Sequence, residues 1–145
     1  MLLGQYSSNL SKKRRVAIPK KFREILGARF IVTKWYEGSL VLVSMDSWNK
    51  LLSRVIKETE LVIEPVRDTE RFLLGSAYEL VPDDQGRVII PETLAMYAVL
   101  TESVRFVGLG DRVELWSGDK WEKREKYLNE NANKILEELS RKGRE

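Results

Sequence analysis

The chain has 145 residues, of which 43% are hydrophobic and 32% charged, with no histidine, no cysteine and a formal net charge of +3. Lacking those two residue types, it has no Ser-His or Cys-His catalysis, no disulfide and no thiolate or imidazole metal site. The length allows one domain of ordinary size or two very small ones, and the low net charge means that any affinity for nucleic acid must come from clustered cations. No apolar run approaches the ~18 residues that span a bilayer. With no charged-then-apolar leader either, a cytoplasmic protein with no membrane partner is expected.

In chain order, a short polar strand is predicted over Gln5 to Leu10, then a turn and the β-branched strand Val16–Ile18. Seven basic residues lie between Lys12 and Arg23 with no acid among them. Pro19 stops the strand and suits the first turn of a brief helix with Phe22, Ile25 and Leu26 on one face. Gly27 is its C-terminal stop. A hairpin follows, Phe30 to Lys34 and Leu40 to Val43 around Glu37-Gly38. Asp46 then reads as the N-cap of a helix over residues 46–60, whose apolar stripe is Trp48, Leu51, Leu52, Val55 and Ile56. Residues 61–75 read as a linker, Val62 to Asp68 around Glu64-Pro65, and a short helix over Thr69–Leu74.

The same order then recurs. Ala77 to Val81 and Val88–Ile90 are strands, Val104 to Leu109 and Val113 to Trp116 form a hairpin around Gly110-Asp111, and Asp119 reads as the next N-cap. The last helix, residues 119–142, carries Trp121, Leu128, Ala132, Ile135, Leu136 and Leu139 before fraying in RKGRE. Arg15-Val16-Ala17-Ile18-Pro19 lies over Arg87-Val88-Ile89-Ile90-Pro91 at an offset of 72. Leu42, Ser44, Asp46 and Trp48 lie over Leu115, Ser117, Asp119 and Trp121 at 73. Two copies are too few for a solenoid, so a duplicated unit packed about a pseudo-twofold axis is expected, with copies over 5–47 and 76–119.

The copies differ in charge. Lys12, Lys13, Arg14 and Arg15 make the first turn a cationic hairpin tip. Its lysines would neutralise phosphates and an arginine would read guanine in the major groove; alternatively, the turn is a solvated one that keeps an edge strand soluble. From Asp83 to Leu94 there are three acids and one base, so repulsion of phosphate competes with binding, and Asp83 with Arg87 can simply close the turn. Asp83-Asp84 reads as a turn, not a metal site, and GLGDR lacks the spacing of a phosphate loop. Trp48 and Trp121 read as core anchors under the long helices.

The paired R-V-x-I-P segments, ERFLLGSAYE before the second copy and ELWSGDKWE after it resemble the MraZ family of bacterial regulators, built from two SpoVT/AbrB-like swapped-hairpin units. The resemblance covers nearly the whole chain. It implies an α+β, β-rich, pseudo-twofold swapped-hairpin barrel with flanking helices and a long C-terminal helix. It also implies a ring-like homo-oligomer, associated with the nucleoid, that binds double-stranded promoter repeats and represses the division and cell-wall gene cluster including its own promoter. No cofactor and no small-molecule substrate are implied. The family marks each copy with Asp-x-x-x-Arg, usually with Gly before the Arg: Asp83, Gly86 and Arg87 match, whereas Ser11 and Arg14 replace the Asp and Gly in the first copy. An arginine at a position needing positive φ is strained, so the first loop is expected to differ in shape. Lys12, Lys13, Arg14 and Arg15 are then the DNA contacts, and Arg87 is carried over from the family. The competing reading is a ring-forming scaffold whose basic turn docks an acidic protein. An enzyme is not expected, because no nucleophile motif and no carboxylate pair at catalytic spacing is present.

Overall fold

The computed structural model describes residues 1–56 and 61–143. In chain order the elements are β1 (Leu2–Asn9), β2 (Arg15–Ala17), α1 (Lys20–Leu26), β3 (Phe30–Lys34), β4 (Leu40–Ser44), α2 (Met45–Val55) and α3 (Glu64–Leu73). They continue with β5 (Tyr78–Leu80), β6 (Arg87–Ile89), α4 (Glu92–Tyr97), β7 (Ser103–Gly110), β8 (Val113–Ser117) and α5 (Gly118–Lys142). The class is α+β, as expected, with an antiparallel sheet and a long C-terminal helix.

Six strands form one sheet in the order β1-β7-β8-β4-β3-β5, while β2 and β6 pair only with each other. The first strand of each half lies on the hairpin of the other half. β1 pairs with β7 from Leu2↔Gly110 to Asn9↔Ser103, and β5 pairs with β3 from Phe30↔Leu80 to Val32↔Tyr78. This exchange is the swap implied by the family resemblance. Two registers map onto themselves when the halves are interchanged. In the ribbon Val16 faces Val88, flanked by Arg15↔Ile89 and Ala17↔Arg87. In the sheet Val41 faces Glu114, flanked by Leu40↔Leu115 and Leu42↔Val113. The pseudo-twofold axis therefore passes through both pairs.

Alternation along the ribbon puts Val16, Ile18, Val88 and Ile90 into the main core, against Phe30, Val32, Leu40, Leu42, Phe106 and Leu115 of the sheet. Phe22 and Leu26 of α1 close this core, and Phe22 also meets the Tyr6 ring edge-on at 5.0 Å. Ile25, expected on the same face, is 46% exposed. A helix of seven residues buries only the narrow i, i+4 stripe, and Ile25 falls at its edge. The outer face of the sheet carries two smaller clusters. Trp35, Val41, Val43, Leu51 and Leu73 pack under α2 and α3, and Val107, Trp116 and Trp121 pack under α5. Helices on one side and the ribbon on the other bury β4 from Leu40 to Val43 on both faces, so it reads as an unbroken apolar run.

Several boundaries depart from expectation. The N-caps are Ser44 and Ser117, whose hydroxyls accept hydrogen bonds from the N–H groups of Ser47 (3.2 Å) and Lys120 (3.4 Å). Asp46 and Asp119 sit in the first turns instead, where a carboxylate favours the positive end of the helix dipole. Pro19 and Pro91 occupy the cap positions of α1 and α4 rather than the first turn. α3 begins at Glu64, not Thr69, because Pro65 is tolerated at a helix start and so opens the helix within the expected linker. α2 ends at Val55; residues 57–60 of the longer helix expected there lie outside the described residues, as do the last two of the RKGRE tail. Trp121 is buried at the root of α5 and Ile135 is half-buried, but Leu136 and Leu139 near its far end are 64% and 67% exposed. Also among those residues, no helix is long and apolar enough to cross a membrane.

Candidate nucleic-acid interface

The two turns that join β1 to β2 and β5 to β6 have the same backbone. In the first, Ser11 N–H donates to Arg15 O and Arg14 N–H donates to Ser11 O, both at 2.9 Å. In the second, Asp83 N–H donates to Arg87 O and Gly86 N–H donates to Asp83 O, again at 2.9 Å. The residue before the arginine is left-handed in both, φ 61° at Arg14 and 76° at Gly86. The expected difference in loop shape is therefore corrected: Arg14 takes the conformation that suits glycine. Its side chain is held as it does so, the Nε donating to Ile90 O at 2.9 Å.

Side chains at the first position of the turn set its electrostatics. Asp83 accepts through Oδ1 from the N–H groups of Gln85 and Arg87, both at 2.9 Å, and through Oδ2 from Arg87 Nε at 3.0 Å. Those bonds, the Arg87 backbone N–H foremost, hold the Asp83 carboxyl below the usual aspartate range against a smaller opposing effect of burial. Ser11 repeats only the backbone part, its Oγ accepting from Arg15 N–H at 3.1 Å. A neutral hydroxyl gives the Arg15 guanidinium no counter-charge in its own turn, whereas the Arg87 guanidinium has one in Asp83.

Because Val16 and Val88 point inward, Arg15, Ala17, Arg87 and Ile89 face outward from the ribbon. Arg15 lies opposite Ile89 and Arg87 opposite Ala17. The two arginines line one groove of about 300 Å³ with Glu79 and Asp83. Lys12 and Lys13 are exposed at the tip, and Asp83 and Asp84 are exposed at the second tip. The structure thus brings Arg15 and Arg87 together on one face. It keeps Lys12 and Lys13 at the end of the ribbon and turns Arg14 in toward the opposite strand.

Two residues escaped the sequence reading. Arg23 of α1 donates from Nε to Ile18 O at 3.0 Å, and its guanidinium lies against Gly86, where an added Cβ would come within 2.4 Å of Cζ. Glu79, on the strand leading into the second turn, adds a carboxylate to the arginine groove. For Arg23 a signal exists: it stands 72 positions before Ala95, the same offset that relates Arg14 to Gly86.

Comparison with known proteins agrees with this architecture. The family model described as "MraZ protein, putative antitoxin-like" matches residues 1–70 and 73–141. A protein of Caldanaerobacter subterraneus subsp. tengcongensis named "Transcriptional regulator MraZ" is 39% identical over 139 residues, 96% of each chain. Proteins of the same name from Leuconostoc citreum and Clostridium tetani are 40% identical over 139 residues and 35% identical over 145, covering 96% and 99% of each chain. The chain belongs to the MraZ family.

Proposed function

We propose that the protein is a sequence-specific DNA-binding transcriptional regulator that presents the β2–β6 ribbon to the major groove. The observation that carries this reading is the first turn, with four consecutive cations, no carboxylate, and an Arg15 whose own turn supplies no counter-charge. A two-stranded ribbon fits the major groove, where an arginine fork pairs with guanine O6 and N7. Lys12 and Lys13 neutralise phosphates, Arg14 adds charge while holding its turn, and Arg87 is the weaker contact because Asp83 already engages it. The relatives' shared name, transcriptional regulator, supports the reading. On the same reading the protein is cytoplasmic and nucleoid-associated, and represses the division and cell-wall gene cluster that includes its own promoter. It acts as a ring-like homo-oligomer in which several first turns meet promoter repeats and gain avidity.

The test is fluorescence anisotropy of the full chain at near-physiological salt, with the duplex immediately upstream of its own gene and a scrambled duplex of equal composition. Specific regulators prefer their sites by ~10³-fold or more, and that preference is expected here. Equal weak binding to both duplexes would reject the reading in favour of a scaffold whose basic turn docks an acidic protein.

A further inference from the structure

The two ends of the ribbon are closed by the same set of bonds made from different residues. At one end Ile18 N–H donates to Gly86 O (3.0 Å) and Ile18 O accepts from Arg23 Nε (3.0 Å). At the other, Ile90 N–H donates to Arg14 O (2.8 Å) and Ile90 O accepts from Arg14 Nε (2.9 Å). Ile18 and Ile90 are equivalent positions, as are Arg14 and Gly86, and Arg23 and Ala95. Each end therefore has one guanidinium on the isoleucine carbonyl. At the second turn it comes from helix α1 and passes over a glycine; at the first it comes from the turn itself, and the helix position holds the buried Ala95. Arg14 and Ala95 line one groove, so the alanine leaves the arginine its space. A Cβ on Gly86 would come 2.4 Å from Arg23 Cζ, so a side chain there would push the guanidinium from its place on the Ile18 carbonyl.

We propose that Arg14 and Arg23 are positioning residues that hold the two ends of the ribbon, Arg14 by tying Ile90 to the first turn and Arg23 by tying Ile18 to α1 while covering Gly86 of the second turn, so that Arg15 and Arg87 project from a frame held at both ends. The pairs Arg14–Ala95 and Gly86–Arg23 are two solutions to one constraint. This also accounts for the arginine at a left-handed position, because its Nε bond is the clamp. The consequence for DNA rests on the proposed function; the clamp itself does not.

The experiment is a transplant in the full chain, read by thermal unfolding and by anisotropy on the upstream duplex over a salt series. Gly86→Arg alone forces two guanidinia toward one carbonyl. It should lower Tm by about 5 °C or more and weaken binding by about tenfold or more. Arg23→Ala alone should lower both by less. The double variant Arg23→Ala/Gly86→Arg copies the first end onto the second and should return Tm to within about 2 °C of wild type. Its affinity should return to within about threefold, with the wild-type salt slope, because no phosphate contact has been removed. The reciprocal set, Ala95→Arg, Arg14→Gly and their double, copies the second end onto the first and should recover in Tm; it is read by Tm alone, because Arg14 also adds charge at the interface. Doubles no better than their worse single would overturn the clamp. So would a fall of about 1 in the salt slope for Arg23→Ala that the double does not restore, since that marks a direct phosphate contact. If wild type shows no preference for the upstream duplex, the DNA reading fails, and the Tm cycle alone decides the clamp.

Discussion

The turn at Ser11–Arg15 and the turn at Asp83–Arg87 share a backbone and differ in charge. Both close with the same pair of 2.9 Å bonds and the same left-handed residue. In the second turn a carboxylate satisfies two N–H groups and holds the arginine; in the first a hydroxyl satisfies one and gives the arginine no counter-charge in its own turn. One duplicated scaffold can therefore carry two roles, because the backbone bonds set the position of the arginine while a single side chain decides whether it is already paired. An exposed pair such as Asp83–Arg87 contributes little to stability. Its larger effect is on what Arg87 has left to give a partner.

The strongest way to break the comparison is to remove the two arginines in turn. Arg15→Ala should reduce specific binding by about 100-fold, the upper range for losing one bidentate base contact. The proposed ring should stay intact, because the side chain faces away from the core. Arg87→Ala should cost about tenfold or less. Anisotropy with size-exclusion chromatography checks both: wild-type affinity in Arg15→Ala removes it from the interface, and a greater loss in Arg87→Ala reverses the division between the copies. Next in size is Ser11→Asp, which builds the second turn's carboxylate into the first. It should engage Arg15 and weaken binding by about five- to tenfold, with most of the loss in nonspecific affinity as well, since a negative charge now faces phosphate. The converse, Asp83→Ser, frees Arg87 and should strengthen binding by about threefold; a loss would mean that Asp83 is needed to aim the arginine.

Much of this was legible in sequence, and the failures are local. The repeat exposed both ribbon strands and both hairpins, because β-branched runs bounded by proline and glycine carry their own punctuation. The pattern R-V-x-I-P marked Arg15 and Arg87 as equivalent positions, but that both face outward follows only from the burial of Val16 and Val88. Caps were missed by two residues because serine and aspartate both cap, and Ser44 and Asp46 compete for one helix start. Arg14 was misjudged because steric preference was weighed without its Nε bond, whose acceptor Ile90 lies 76 residues away. Arg23 has its acceptor, Ile18, only five residues away, but the glycine its guanidinium covers is in the other copy, where local sequence does not show it. The stripe on α5 was visible, but periodicity does not say whether anything covers it, and Leu136 and Leu139 are exposed.

The smallest expected effect extends the comparison from the turns to the point where the axis crosses the sheet. Val41 and Glu114 are equivalent positions facing each other across the sheet, and the second copy has again placed a carboxylate where the first has none. Glu114 accepts from Trp116 Nε1 at 2.9 Å, yet burial outweighs that bond and raises its carboxyl above the usual glutamate range. Arg112 lowers it and Glu37 raises it further, as lesser effects. A raised carboxylate means that folding disfavours the ionised form. The penalty is absent below the unfolded-state value, grows as pH rises toward the folded-state value, and is complete above it. Glu114→Gln keeps an oxygen for Trp116 and removes the charge. It should therefore raise Tm at neutral pH, with an advantage that shrinks as pH falls toward the ordinary glutamate range. The Tm gap between variant and wild type, measured across that range, should open with increasing pH. A gap that is constant, or that closes as pH rises, would show that Glu114 is stabilised as the anion, as Asp83 is in the second turn.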